Sequence, residues 1–268
     1  MDSTDPLWWE RSVGPMSCNR RPDLTACPRA AARRVGRAFT LVELIVCLAV
    51  VALLTAMLMP ALRHVREAAL RIHCASNMHQ IGIALTSWAD SHNDWLPASV
   101  NAEPATLKPQ ELMAATLGPE ASSAFTAINP WDGLGWLAGS GYLSCTECLY
   151  CPSHHGDHAF ERYAESFRDP TTARIYTNYH YAGHVKHDGA RNRLTEGHEL
   201  LLLTDGLRTR SDFNHVNGCN RLFADISTDW WFDAGNQLRD SLPMDVMDPS
   251  AQLVQYSQWW GTLEQSKE

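Results

Sequence analysis

The sequence predicts an α+β fold in which one long amino-terminal helix packs on a mainly antiparallel β-sheet. Three observations support this prediction. An apolar run extends from Leu44 to Leu62 and is interrupted only by Thr55 and Pro60. Apolar residues at helical spacing continue from this run as far as Trp88. After that point only short segments of strand composition follow, so the fold should be one long helix against a sheet of short strands.

The apolar run is long enough to cross a membrane, and we assign 39–62 as a transmembrane helix. Its 19 residues would span about 28 Å as a helix, which is close to the hydrocarbon thickness of a bilayer. Glu43 immediately precedes the run, and a carboxylate in apolar surroundings needs a partner. The alternative places Glu43 at the headgroup boundary, where a charge is tolerated. Because Pro60 lacks a backbone donor, we expect a kink or local melting between Met57 and Leu62.

A basic leader of 38 residues precedes this helix. Met16 is an alternative start, and it would leave a leader of 23 residues. The positive-inside bias keeps this end in the cytoplasm and sends the rest of the chain across the inner membrane. A secretory signal is the competing interpretation, although its apolar core is usually shorter. The arginines that carry this bias are Arg20, Arg21, Arg29, Arg33, Arg34 and Arg37.

Residues 63–97 are predicted to form an amphipathic extension of the helix followed by a turn. The helix should end between Ala89 and Ser91, because turn-forming residues and Pro97 follow. The charged residues Glu67 and Arg71 lie beside the apolar stripe and are predicted to be solvated. The predicted stripe consists of Val65, Ala68, Ile72, Ala75, Met78, Ile81, Leu85 and Trp88.

Residues 98–268 are predicted to form the exported α+β domain. One short helix is expected over 110–117, and the strand-like segments are 173–177, 179–181, 199–204 and 221–224. The aromatic clusters 230–232 and 259–260 are interpreted as core residues or as cover for an edge strand. The charged tail 264–268 is expected to fray.

The segment Phe39-Thr40-Leu41-Val42-Glu43-Leu44, with a small residue before it, resembles the processing site of type IV pilins and type II secretion pseudopilins. The resemblance implies that prepilin peptidase cleaves between Ala38 and Phe39 and that the new terminus is methylated. It also implies that Glu43 neutralises the terminal amine of a neighbouring subunit. Pro60 stands where many pilins carry a helix-bending proline. Ala38 replaces the glycine that usually precedes the cut.

Further segments resemble the pilin-like proteins that are abundant in planctomycetes, among them Cys74-Ala75-Ser76-Asn77 and Cys151-Pro152-Ser153. Those proteins carry a late motif of His, nine residues and Asp-Gly, which His215 and Asp225 match in spacing, with Ile226 in place of the glycine. The resemblance implies the same α+β architecture and a structural role for Cys151. We interpret His215 and Asp225 as a hydrogen-bonding pair that fixes the last hairpin; a ligand pair or catalytic dyad is the alternative.

The eight cysteines allow two interpretations of the densest cluster. Cys145, Cys148, Cys151 and His154 contain enough thiolate and imidazole ligands for a tetrahedral zinc site. In an exported domain, however, disulfides are favoured. We therefore expect a disulfide that involves at least one of these three cysteines and no bound metal. The candidates for the remaining pairing are Cys74 and Cys219.

These patterns predict a structural prepilin-like subunit without a cofactor or enzymatic activity. Its expected partners are prepilin peptidase, other pilin-like subunits of a type IV pilus-like or type II secretion filament, and the inner membrane. The net charge of −8 argues against a nucleic-acid partner. The alternative is an exported zinc-binding or hydrolytic domain that uses the pilin-like anchor only for export. Measuring bound metal on the exported part distinguishes the two.

Overall fold

A computed structural model describes residues 39–102, 107–119, 129–183, 192–197 and 199–264. The predicted leader and Ala38 of the processing site lie outside these ranges. Helix α1 extends over Leu41–Ser91, and this confirms the predicted long helix and its end. Asn93 and Asp94 then adopt left-handed backbone conformations, with φ of 55° and 69°. The backbone N–H of Asp94 donates to the carbonyl of Ala89 at 2.8 Å, so the turn closes the helix end.

Pro60 lies inside α1, and the helix continues through it without interruption. The predicted local melting between Met57 and Leu62 is therefore wrong. The chain consists of two compact units, and the boundary between them lies after Ala52, within α1. The apolar side chains from Leu41 to Leu62 are exposed.

The sheet is a four-stranded antiparallel meander in the order β1-β2-β3-β4. The predicted strand over 173–177 is wrong, since only Tyr176 forms an isolated bridge, with Ala114. The aromatic residues of 230–232 belong to the edge strand β4, which the sequence analysis did not assign as a strand. The strands are β1 Tyr179–Tyr181, β2 Leu201–Asp205, β3 Gly218–Phe223 and β4 Thr228–Phe232.

The main core forms where the second half of α1 meets the sheet. Met78, Ile81 and Leu85 are buried together with Tyr179 of β1 and Leu222 of β3. The predicted stripe is correct from Met78 onward. Its first part is wrong, because Val65 and Ile72 are exposed. The face of α1 that contacts the domain runs through positions 67, 71, 74 and 78. It includes the polar residues Glu67 and Arg71, whose side chains contact residues of the domain.

The remaining helices are short, except for the last. The predicted helix over 110–117 is replaced by a 3-10 turn at Pro109–Glu111 and by isolated bridges at Ala114 and Thr116. The last helix, which was not predicted, buries Trp259 and Leu263 in a second core cluster with Phe213 and Phe223. Among the described residues, the α-helices after α1 are α2 Gly135–Gly139, α3 Phe160–Tyr163, α4 Gln237–Ser241 and α5 Pro249–Glu264.

Candidate functional site

The start of α1 holds Glu43 in a capping box. The backbone N–H and the hydroxyl of Thr40 donate to Oε2 of Glu43 at 2.8 and 2.9 Å, and the N–H of Glu43 donates to the Thr40 hydroxyl at 3.2 Å. This reciprocal arrangement satisfies free donors at a helix start. This capping box was not predicted, although Thr40-x-x-Glu43 is its usual sequence signature. Within the described residues, Glu43 therefore bonds to its own helix start, and Oε1 has no partner.

Phe39, the predicted first residue after the cut, is exposed, and so is the apolar surface that follows it. Helix α1 is long and apolar enough to cross a membrane, and the apolar window that meets this criterion has no buried residues. This exposed first half contrasts with the second half, where the domain covers the helix.

A second site lies in the core of the domain, where four potential metal ligands converge. Cys74 comes from α1, Cys151 from the loop that follows the 3-10 helix Thr146–Leu149, Asp205 from the end of β2, and His215 from the loop before β3. Their ligand atoms all lie within 4.8 Å of one another. Each of these residues is at most 3% exposed.

The contacts within this cluster join unlike ligand types. The thiol of Cys74 donates to Oδ1 of Asp205 at 3.1 Å, and Sγ of Cys151 lies 3.5 Å from Nε2 of His215. The same Nε2 lies 3.7 Å from Oδ2 of Asp205. Two sulfurs, one nitrogen and one carboxylate therefore face a common centre.

Neighbouring residues fix the orientation of each ligand. Nδ1 of His215 lies 2.8 Å from Oε1 of Glu67, on α1, so Nε2 is the nitrogen that faces the cluster. The Asn214 amide donates to Oδ1 of Asp205 at 2.9 Å, and the backbone N–H of Asn220 donates to Oδ2 at 2.6 Å. These contacts hold the imidazole and the carboxylate in one orientation.

The loop that carries Cys151 is shaped by the residues that follow it. The N–H of His154 donates to the carbonyl of Cys151 at 3.1 Å and closes a turn in which Pro152 is the second residue. Proline favours that position because its φ is already fixed. The N–H of Cys151 donates to the side chain of Asn178 at 3.2 Å, next to β1. The Cys-Pro-Ser segment thus aims the Cys151 sulfur into the core.

Burial sets the protonation of the cluster. Burial raises the pKa of Cys74 well above its ordinary value, and it also raises the pKa of Cys151. For His215, burial acts to lower the pKa, but the hydrogen bond with Cys74 and the charge of Asp205 outweigh it and raise the pKa to about 9. At neutral pH both thiols of the cluster are therefore protonated and His215 is an imidazolium.

The predicted cluster of Cys145, Cys148, Cys151 and His154 does not form one site. The thiol of Cys148 donates to the side chain of Gln80 at 3.3 Å, whereas Cys151 faces Cys74 and His215. His154 instead lies with Nδ1 2.8 Å from the side-chain oxygen of Asn214. These four side chains therefore do not converge on one centre, because sequence proximity does not make three sulfurs in a loop point the same way.

The predicted disulfide is not found among the described cysteines, since the six of them are thiols. Two of its candidates, Cys74 and Cys151, do come together in the cluster. Cys219, the other predicted partner, is buried in the second core cluster instead.

The predicted pair of His215 and Asp225 is wrong. His215 contacts Glu67 and the buried cluster, whereas Asp225 is exposed in the turn between β3 and β4. There Asp225 accepts the backbone N–H of Ser227 at 2.9 Å. Ile226, which replaces the glycine of the late motif, has a φ of 64°, so the turn forms although a β-branched residue adopts this conformation unfavourably.

Two family models match the chain. The model described as the prokaryotic N-terminal methylation motif covers residues 33–59, which contain Phe39 and Glu43. The model described as a protein of unknown function, DUF1559, covers residues 63–214. No curated protein and no solved structure matches the chain. The second match spans more than half of the sequence and includes three of the four converging residues, so the chain belongs to the DUF1559 family and carries a prepilin-type methylation motif at its amino end.

Proposed function

We propose that the chain is a structural pilin-like subunit, anchored in the inner membrane and assembled through α1 into a type IV pilus-like or type II secretion filament. Prepilin peptidase cleaves it between Ala38 and Phe39, and the new terminus is methylated. Its role is structural and not enzymatic. The observation that carries the proposal is the methylation motif, whose match over 33–59 includes the exposed apolar start of α1.

The apolar surface of the first half of α1 supports this proposal. Large side chains such as Leu48, Val51 and Leu58 are more than half exposed. A soluble protein rarely leaves a continuous apolar surface of this kind uncovered. Lipid covers it before assembly, and the helices of neighbouring subunits cover it in a filament.

Glu43 supplies the specificity of assembly. The carboxylate would neutralise the amine at Phe39 of a neighbouring subunit inside the filament. Both charges are desolvated there, so removing either partner costs about 3 to 5 kcal/mol. A subunit that is shifted along the axis loses this pairing, and Glu43 therefore selects the correct register.

The basic leader sets the orientation. Arginines including Arg33, Arg34 and Arg37 precede the apolar run. The positive-inside bias holds them in the cytoplasm and exports the domain. Cleavage then removes these charges, so the first half of α1 leaves the bilayer more easily.

Amino-terminal analysis of the membrane-bound protein tests the processing step. We expect a mature terminus that reads Phe-Thr-Leu-Val-Glu with a methylated amine. The matched variant Ala38→Leu places a bulky residue before the cut and should retain the leader. A parent terminus within or after Leu44–Leu62 would show cleavage by signal peptidase and contradict the proposal.

A further inference from the structure

We propose that Cys74, Cys151, Asp205 and His215 bind one zinc ion, which fastens the second half of α1 to the sheet and its loops. All four ligands belong to the unit after Ala52 and lie beyond the predicted membrane segment 39–62. Thiolate, imidazole and carboxylate are the three ligand types that zinc uses in proteins. The two soft sulfurs favour zinc over magnesium or calcium, which prefer oxygen ligands.

The separations between the ligand atoms fit a tetrahedral ion. Zinc binds sulfur at about 2.3 Å, and nitrogen or oxygen at about 2.0 to 2.2 Å. Ligand atoms around such a centre lie roughly 3.3 to 3.8 Å apart by tetrahedral geometry. The separations are 3.1 Å from Sγ of Cys74 to Oδ1 of Asp205, 3.5 Å from Sγ of Cys151 to Nε2 of His215, and 3.7 Å from that Nε2 to Oδ2 of Asp205. All four ligand atoms lie within 4.8 Å of one another, so a contraction of at most about 1 Å in the widest pairs would close the shell.

The surroundings of the ligands are those of a metal site. The Glu67 carboxylate bonds to the outer nitrogen of His215 at 2.8 Å and leaves Nε2 to face the ion, an arrangement found in most metal-binding histidines. The backbone N–H of Ser153 points to Sγ of Cys151 at 3.4 Å, and the Tyr179 hydroxyl lies 3.5 Å from Sγ of Cys74. Such contacts stabilise sulfur in its thiolate form.

The burial of the cluster indicates a structural ion. Four protein ligands complete a tetrahedral shell, whereas a catalytic zinc keeps one position for water or substrate. Cys74 and Asp205 are fully buried, and Cys151 and His215 are 3% exposed. The ion would join α1, the end of β2 and two loops that are distant in sequence, and its binding would stabilise their packing.

A disulfide between Cys74 and Cys151 is the competing use of the same sulfurs. It would consume both thiols and leave the carboxylate and the imidazole without a role in the cluster. A disulfide also would not explain why the contact of Glu67 with Nδ1 leaves Nε2 of His215 facing the two sulfurs. The convergence of four different ligands therefore favours zinc.

Metal analysis of the full chain tests the proposal directly. The protein is purified from membranes in detergent, without chelator and without a histidine tag. We expect one zinc per chain by mass spectrometry. After the zinc is removed, cobalt(II) should restore one equivalent, with the thiolate charge-transfer and tetrahedral d–d absorption bands of a mixed sulfur and nitrogen site.

Three variants locate the ion. Cys74→Ser should lose the zinc and the thiolate bands. The matched control replaces two thiols outside the site, Cys145→Ser with Cys148→Ser, and should retain one zinc. Glu67→Gln leaves all four ligands in place but weakens the contact to His215, and it should lower zinc affinity by about 10- to 100-fold. This variant decides the question if Cys74→Ser does not fold.

Several outcomes would overturn the proposal. One is a non-reduced protein in which peptide mapping finds Cys74 linked to Cys151. Others are a chain that binds neither zinc nor cobalt, zinc that persists in Cys74→Ser but is lost in the control, and an unchanged zinc affinity in Glu67→Gln.

Discussion

Helix α1 places two glutamates in opposite situations. Glu43, in the exposed first half, bonds to Thr40 of its own helix start. Glu67, at the start of the second half, reaches His215 and Ser153, which come from distant parts of the chain. Among the described residues, the first carboxylate bonds only within its own helix start, whereas the second is partly buried against the domain. One continuous helix therefore serves two purposes, and each half should respond differently to substitution.

The largest effect should follow from breaking the buried cluster. Asp205 accepts hydrogen bonds from Cys74, Asn214 and Asn220. Asp205→Ala leaves these donors unsatisfied, and we expect it to lower the free energy of unfolding by about 3 to 5 kcal/mol. Urea denaturation followed by circular dichroism measures this loss. Glu43→Ala should leave the domain transition unchanged, and an equal loss in both variants would contradict the division of α1.

Replacing one leucine in each half of α1 shows how much the packing of that half contributes to the stability of the domain. Leu85 is fully buried, whereas Leu54 is 54% exposed. Leu85→Ala should destabilise the domain by about 2 to 5 kcal/mol, because it removes buried methyl groups and leaves a cavity. Leu54→Ala should change domain stability by less than about 0.5 kcal/mol. The same denaturation experiment measures both, and a large effect at Leu54 would show that the first half belongs to the core of the domain.

The domain should also respond to acid through a buried histidine. Burial lowers the pKa of His180 to about 3, against about 6.5 in an unfolded chain. The unfolded state therefore takes up a proton first as the pH falls. The contribution of His180 to stability is complete above about pH 6.5 and declines toward pH 3, with a loss of about 2 kcal/mol at pH 5. His180→Phe should reduce this decline in unfolding experiments between pH 7 and 5, and an unchanged decline would exclude His180 as its source.

Local patterns in the sequence predicted the features that depend on neighbouring residues. The periodicity of α1 predicted the helix and its end near Ser91, and the residues around Phe39 predicted the prepilin-type methylation motif that the family model matches. The buried cluster could not be found in this way. Its residues, Cys74, Asp205 and His215, lie far apart in sequence and meet only in the folded domain.

The errors have related physical causes. The predicted stripe followed apolar residues through Ile72, whereas the buried face passes through Glu67 and Arg71. These polar residues are partly buried because they contact the domain: Arg71 stacks on the ring of Trp230 at 3.6 Å. No local pattern reveals such partners. By contrast, the capping box at Thr40 has a sequence signature and was predictable.

The most direct test of the exposed half of α1 concerns the proposed pairing of the Glu43 carboxylate with a neighbouring subunit. Glutamine also completes a capping box, so Glu43→Gln keeps the local hydrogen bonds and removes only the charge. Cys47 is an exposed thiol in the same half and reports on neighbouring helices by thiol cross-linking. Cys18 and Cys27 lie in the predicted leader and are removed on cleavage. Among the described cysteines, replacing the partly exposed Cys145 by serine in both proteins then confines the reaction to Cys47.

Cross-linking through Cys47 in intact membranes therefore compares the parent with Glu43→Gln. A loss of about 3 kcal/mol or more from the missing charge pair corresponds to roughly a hundredfold weaker association. We expect a cross-linked dimer in the parent and its near-complete loss in Glu43→Gln, with the mature terminus unchanged in both. An equally strong dimer in Glu43→Gln would show that Glu43 only caps the helix, and it would contradict the proposed charge pairing between subunits.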